Sequence, residues 1–486
     1  MALLSLYAIC IQKTISLLKQ GKFNTSLQNP FSQLAPVILD DILRYFLFLP
    51  HTERPKIVDL LLLLTSGRLR HLNLSVFRID EDQDLLLNIL TEKSCRLLRS
   101  ITAPKSIKSY VLEGIILLCP NLELIHSAVQ FNLHTLANNK KLRILKLHLS
   151  TKSVSELFAE NQVEFLRSLP NLQILSFCEQ SDYFSSWKEM AAILKNCPQL
   201  VSIGYADSSM AVNEIQGANL QLNLRRCLWG TKFWNLNWNF ESRQVSLGQE
   251  LFPHIIKKAV SAYQLVEELF IVVPHGDCLQ YLADLNKLIL LSISFVNMSV
   301  DCTSAFISLL SDIGHQLKHV FVQHIKGTPV DIILANCPTL ISLRINGPVT
   351  VSGTTASIPK SLLLKRLRLS TADDTTLLFL LPRCLYLREL FLDFAPRLND
   401  NLLCIILNQN ALLQLEVAAI CDCRLTGRGV RFFLETAVSL RKVSFSPFGA
   451  IVSRIINKYN LSVVNCRAFN LQKKEFFHLK FNSCHF

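Results

Sequence analysis

Leu364-Lys365-Arg366-Leu367-Arg368-Leu369 is followed 23 residues later by Leu387-Arg388-Glu389-Leu390-Phe391-Leu392. Both stretches read L-x-x-L-x-L, and that pattern, with Val, Ile, Phe or Tyr substituting, recurs along most of the chain. Clear copies stand at Leu69-Leu72-Leu74, Leu142-Leu145-Leu147, Leu172-Leu175-Phe177 and Leu200-Ile203-Tyr205. They resume at Leu288-Leu291-Ile293, Leu317-Val320-Val322 and Leu340-Leu343-Ile345, and end with Leu412-Leu415-Val417 and Leu440-Val443-Phe445. Weaker copies begin at Leu98, Leu122, Leu224 and Val266. From Leu288 to Leu440 the first leucines are 29, 23, 24, 23, 25 and 28 residues apart. The last two apolar positions of each copy alternate with polar ones, the period of a half-buried strand. Helix-like runs lie between the strands at 330–335, 375–381 and 429–437, and a Cys-Pro pair often closes such a run, as at Cys119-Pro120, Cys197-Pro198 and Cys337-Pro338. One strand and one return run per unit predicts a solenoid, in which each unit packs only on its neighbours.

That architecture answers a problem of size. At 486 residues the chain exceeds what one compact core supports, whereas a stacked core grows along one axis. Half of the residues are hydrophobic and 18% are charged, a balance that excludes extensive disorder. The formal charge of +13 is spread along the chain rather than clustered, so a nucleic-acid interface is not expected. The 15 cysteines mostly end apolar runs, where a thiol acts as a small hydrophobe, and this predicts a reducing compartment. Met1 to Cys10 has an apolar stretch without a basic start or a small-residue cleavage pattern, and no uncharged apolar run reaches the ~18 residues of a membrane span. The expectation is a protein of the cytoplasm, the nucleus or both, with no membrane partner.

The unit resembles the cysteine-containing leucine-rich repeat, whose signature is similar to Cys423-Arg424-Leu425-Thr426-Gly427-Arg428-Gly429-Val430. The resemblance covers roughly residues 67–465 and implies an α/β fold, a leucine-rich-repeat horseshoe. The domains expected are a helical segment at 1–65, repeats at 66–465 and a cap at 466–486. Between Leu224 and Val266 the spacing rises to 42, which predicts an insertion or a degraded repeat at 225–265. Trp229, Phe233, Trp234, Trp238 and Phe240 fall there, expected as a buried plug ahead of an exposed interaction loop.

Two stretches of the N-terminal segment carry further resemblances. Ser5-Leu6-Tyr7-Ala8-Ile9-Cys10 resembles the start of an elongin-binding box, with Thr14 where the box has an aliphatic residue. Leu34-Ala35-Pro36-Val37-Ile38-Leu39-Asp40-Asp41-Ile42-Leu43-Arg44-Tyr45-Phe46 resembles an F-box core, and also the cullin box that follows an elongin-binding box. The family implied is the leucine-rich-repeat substrate receptors of cullin-RING ubiquitin ligases, of the Zyg or the F-box type. The resemblance implies an adaptor, elongin type ahead of Skp type, together with a cullin. The adaptor-binding residues would be Leu6, Cys10, Leu34, Pro36, Ile38, Leu39, Ile42, Leu43 and Phe46, anchors of amphipathic helices seated in a groove. The alternative is a scaffold in which the same helices only cap the repeats.

In L-x-x-L-x-L the leucines face the core and the intervening strand residues face the opposite side. The early copies then expose His71, Asn73, Lys146 and His148, the middle copies Phe270, Val272, Leu290 and Phe321. Arg344, Arg366 and Arg368 follow, then Glu389, Asp393 and Glu416. The reading is an apolar centre beside a basic and then an acidic strip, with a protein substrate on Phe270, Leu290, Phe321, Arg344, Arg366 and Arg368. No phosphate-binding loop, H-E-x-x-H or C-x-x-C appears, so no catalytic residue, metal site or cofactor is expected.

Overall fold

The computed structural model describes residues 6–23, 28–47, 51–78, 83–91, 95–147, 165–177, 187–215, 221–230, 245–295, 301–325, 327–353, 358–446, 450–459 and 461–463. Sixteen strands, from His71–Asn73 to Ser462–Val463, form one sheet in chain order, and every neighbouring pair is parallel. A short second sheet pairs Thr328–Pro329 with Val349–Thr350. Parallel neighbours require the chain to return on the other face between strands. The runs read as helical appear as Val330–Asn336, Asp374–Leu380 and Gly427–Thr436. Strands lie about 4.8 Å apart and packed helices about 8–10 Å apart, so the sheet becomes the inner, concave side. The fold is an α/β leucine-rich-repeat solenoid.

Register turns the repeat into a core. Leu291, Val320, Leu343, Leu367 and Leu390 stand side by side on successive strands, each 0 or 1% exposed. Ile293, Val322, Ile345, Leu369 and Leu392 form a second such row. The next copy corrects the phase read from sequence. Leu390 is paired with Ala418 and Leu392 with Ile420, so the copy is Leu415-x-x-Ala418-x-Ile420 and not Leu412-Leu415-Val417. Leu412 is buried as well, but in a turn with φ of +49° whose N–H is held by the Asn410 side chain.

Three residues before the first leucine of a unit, the chain needs either an apolar plug or a side chain that bonds the previous coil. Cys119, Cys337 and Cys384 are plugs, all within 2% of full burial. Burial pushes the Cys337 and Cys384 thiols up to about 12, which keeps them protonated. Asn139 takes the other course, donating to the Cys119 carbonyl at 2.6 Å; in the shifted copy buried Leu412 holds this position, and Asn410, two residues earlier, donates to the Leu381 carbonyl at 2.7 Å. In the signature copy, a Cβ on Gly429 would meet the Asp400 carboxylate at 2.1 Å, and that carboxylate also accepts from the Thr426 hydroxyl.

The 42-residue spacing holds an insertion, since Arg226–Trp229 pairs directly with Glu268–Val273. The helix Val245–Ala262 lies within it. Trp229 is fully buried and donates from Nε1 to the Ser208 hydroxyl at 3.0 Å. Phe233, Trp234, Trp238, Phe240 and the segment 466–486 lie outside the described residues.

At the other end, α1 (Leu6–Lys19) and α2 (Pro36–Phe46) close the solenoid. Leu39, Ile42, Leu43 and Phe46 join the main core beside Leu72 and Leu74. Asp40 accepts from the His71 N–H at 3.2 Å, bonding the first strand at its otherwise open edge. Burial raises the Asp40 carboxyl above its ordinary 3.8.

Leu291→Ala should cost about 2–5 kcal/mol, and Leu413→Ala, at a site 59% exposed, within about 0.5 kcal/mol, as read from urea midpoints. Asp40 makes a second prediction, because a carboxyl raised by folding favours the protonated folded state. Its contribution is present below 3.8 and is lost as pH rises through the raised value. The stability of the wild type minus that of Asp40→Asn should therefore fall across that window, and a flat difference would refute the assignment.

Candidate functional site

The concave face is built from the strand residues that alternate with the core rows. One row runs Leu228, Phe270, Ser292, Phe321, Arg344, Arg368 and Phe391, one residue per strand. The row beside it runs Arg226, Glu268, Leu290, His319, Ser342, Arg366 and Glu389. Thus the structure does bring the six expected partner-binding residues onto one face.

It also narrows what they offer. Phe270 is 1% exposed and packs with Leu228 and half-buried Leu290 in an apolar cluster separate from the main core. The expected apolar centre is therefore closed at Phe270 and at Val272, which is 2% exposed, and open only at Leu290 and Phe321. The physical reason is that neighbouring apolar side chains on a tightly curved face cover each other before a partner can.

The charged strips are also different from the sequence reading. Arg368 grips Asp393 at both ends, Nε to Oδ2 at 3.0 Å and Nη2 to Oδ1 at 3.2 Å. The Arg366 Nε lies 3.3 Å from the Glu389 carboxylate. The pattern recurs as Arg99–Glu123, Arg225–Glu267, Arg226–Glu268 and Arg388–Glu416. In-register parallel strands place equivalent positions next to each other, so an Arg in one coil meets an acid in the next. The basic and acidic strips are partners of each other. Glu416, in the corrected phase, occupies the position of Arg388 at the edge of the sheet.

Arg344 differs from its neighbours. Burial, and then the charge of Arg368, drive its guanidinium down to about 9, with Asp393 opposing. Phe391 completes the site, its ring centroid 5.9 Å below the Arg368 guanidinium. The signal for Phe391 was available, as the residue between Leu390 and Leu392. Ser292 and Ser342, small residues between tall ones, give no such signal in sequence.

At the first coils, Asn73 caps a turn by accepting from the Ser75 N–H at 2.9 Å, Lys146 is half-buried, and His148 lies outside the described residues. His71 Nδ1 is 2.7 Å from the Ser100 hydroxyl, but Nε2 is 4.0 Å from Asp40, beyond hydrogen-bond reach. These three groups make no catalytic relay. Among the described residues no cluster of His, Cys, Asp and Glu suits a metal ion, and no helix is long and apolar enough to cross a membrane.

The nine residues expected to meet an adaptor divide into three sets. Leu39, Ile42, Leu43 and Phe46 are at most 3% exposed and serve the core, which corrects their assignment to a docking surface. Leu34, Pro36 and Ile38 are half-buried. Leu6 and Cys10 are exposed, Leu6 by 77%. Tyr7, Ile9 and Val37, 48%, 49% and 60% exposed, extend that patch. Tyr7 ties the two helices by donating to Asp41 at 2.8 Å.

No protein-family model and no curated protein matches the chain. Among solved structures, the complex of Rad7 and Elc1 in yeast aligns with 96% of this chain and 100% of that chain, at 14% identity and a TM-score of 0.34. A leucine-rich-repeat protein of Leptospira interrogans aligns with 84% of this chain and 98% of its own, at 12% identity and 0.32. The leucine-rich-repeat protein LegL7 of Legionella pneumophila covers 76% and 93%, at 8% and 0.30. The fold assignment rests on the strand ladder above, independently of these likenesses.

Replacing Arg368 by Met strands Asp393, and should cost about 1–3 kcal/mol. Replacing Arg366, whose side chain is 62% exposed, should cost less than about 1 kcal/mol. Equal losses in chemical denaturation would contradict the pairing.

Proposed function

We propose that the chain is the substrate-recognition subunit of a cullin-RING ubiquitin ligase, with α1 docking an elongin-type adaptor and the concave face holding a protein substrate. The observation that carries this reading is the exposed apolar start of α1. A helix that only capped the repeats would turn its apolar side inward, as α2 does with Leu39, Ile42, Leu43 and Phe46. The first turns of α1 instead leave Leu6, Ile9 and Cys10 in water, and the patch continues to Val37. Fully burying a side chain such as leucine or isoleucine is worth about 1.5–3 kcal/mol, and exposed apolar patches mark interaction sites. Leu6 and Cys10 are two of the positions at which this chain resembles the elongin-binding box.

One observation favours a second reading, a repeat scaffold with no link to ubiquitin. The F-box-like and cullin-box-like residues of α2 are buried in the core, where they act as a cap.

Affinity capture with the full chain separates the two. The wild type should recover elongin-type adaptor and a cullin, and Leu6→Glu with Cys10→Glu should lose both without changing the unfolding midpoint. Recovery of a Skp-type adaptor alone would reverse the order of adaptors, and recovery of neither would leave the scaffold.

A further inference from the structure

The turn that leads into each strand recurs from coil to coil. The residue three places before the first core leucine accepts from that leucine's N–H, as Cys384 does from Leu387, Leu412 from Leu415 and Ala437 from Leu440. The residue after the acceptor stands on the rim where the strands begin. Nine earlier coils make this turn, from Cys95 to Cys337. They carry proline there at Pro120, Pro170, Pro198 and Pro338, and otherwise a polar residue such as Lys140 or Asn286. The rule breaks in the three coils whose acceptors are Cys384, Leu412 and Ala437. There the position holds Leu385, Leu413 and Val438, which are 45%, 59% and 71% exposed.

Register makes a stripe of them. Glu389, Val417 and Lys442 are neighbours on successive strands, so the turns four residues earlier lie side by side. Strands about 4.8 Å apart space the three side chains over about 10 Å. Exposed Leu363 and Tyr386, in register with each other, widen the stripe at its first coil. A contiguous exposed apolar surface marks an interaction site. What fits it follows from spacing and charge. On a helix, anchors at i, i+3 or i+4, and i+7 recur about every 5.4 Å, close to the interval of the stripe. Same-face residues of an extended segment stand about 6.6 Å apart and fall out of step. Directly after the core leucines runs the row Lys365, Arg388, Glu416 and Arg441, three cations against one carboxylate. Arg388 and Glu416 face each other at 3.9 Å, with Lys365 and Arg441 at the ends of the row.

We infer that Leu385, Leu413 and Val438 form a docking ridge for an acidic amphipathic helix of a partner protein, its aliphatic anchors on the ridge and its carboxylates toward Lys365 and Arg441. The ridge lies on the rim where the strands begin, apart from the concave face and from α1, and it does not depend on the ligase reading. Opposite charge orients the helix and speeds its encounter, while the aliphatic contacts set how long it stays.

The test is selection of a random display library of peptides of about fourteen residues, some four helical turns, on the full chain, followed by affinity measurement of the enriched peptides. They should carry aliphatic residues at i, i+3 or i+4, and i+7 with Asp or Glu beside them, and should gain helical circular dichroism on binding. Leu413→Glu, at an exposed site that spares the core, should keep the unfolding midpoint and weaken binding about tenfold or more. Lys365→Glu with Arg441→Glu should also weaken it, and replacing the peptide acids by lysine should restore the loss. Lys140→Glu, at the same turn position of an earlier coil, should leave affinity unchanged. No enrichment, enriched peptides without helical spacing or acids, or indifference to Leu413→Glu would each overturn the ridge. Two other occupants have their own signatures, and either would replace the partner helix. A dimer in sedimentation velocity that Leu413→Glu dissolves means a second copy of this chain. A photo-crosslink from position 413 to residues 466–486 of the same molecule means the chain's own segment.

Discussion

The structure depends on one repeated hydrogen-bond fork. The carbonyl just before each strand accepts two N–H groups from the next coil. Arg225 takes Glu267 and Glu268, Ile289 takes Lys318 and His319, and Ile341 takes Lys365 and Arg366. Arg388 likewise takes Glu416 and Val417. A strand of four to six residues is unstable alone, because its edge groups need partners. The fork locks each strand to the last at a fixed register, and the register then stacks leucine on leucine. It also decides the phase at the copy near Leu412. Once Glu416 and Val417 bond Arg388, Ala418 must face the core, although it is a smaller residue than the leucine the pattern prefers.

The same register governs charge. A residue at a given strand position has as neighbours its equivalents in the coils before and after, as Arg366 has Glu389, and the residues diagonal to them, as Arg368 has Asp393. Arg in one coil and Glu or Asp in the next form a pair whether or not a partner ever binds. Reading a single strand, Arg366 and Arg368 look like a basic surface; reading three, they look neutralised. Arg344 has Phe321 beside it on one strand and a second arginine on the other. Function on such a face is written in the exceptions to the ladder.

This explains what was legible in the sequence. The core rows, the parallel sheet and the plugs such as Cys337 follow from spacing and side-chain type, which are local properties. The 42-residue gap kept two explanations until the pairing of Arg226–Trp229 with Glu268–Val273 chose between them. The concave face was legible as a set of positions, and five of the six residues chosen there keep some exposure. What the sequence could not show is mutual coverage. Phe270 is covered by Leu228 and Leu290, and the charge of exposed Arg366 is met by Glu389, through contacts between residues tens of positions apart.

The N-terminal helices bring the same logic to the open end of the solenoid. The first strand has no preceding coil to supply its bonds, so α2 provides Asp40 for the His71 N–H and four apolar side chains for the core. Those side chains coincide with the residues that resemble an F-box or a cullin box, and one surface cannot be buried twice. α1 is under less demand: Ile15 and Leu18 suffice to seat it, with Tyr7 tied to Asp41. Apart from Tyr7, its opening turns leave Leu6, Ile9 and Cys10 exposed, apolar residues that water disfavours. A solenoid cap explains α2 completely; it does not explain Leu6.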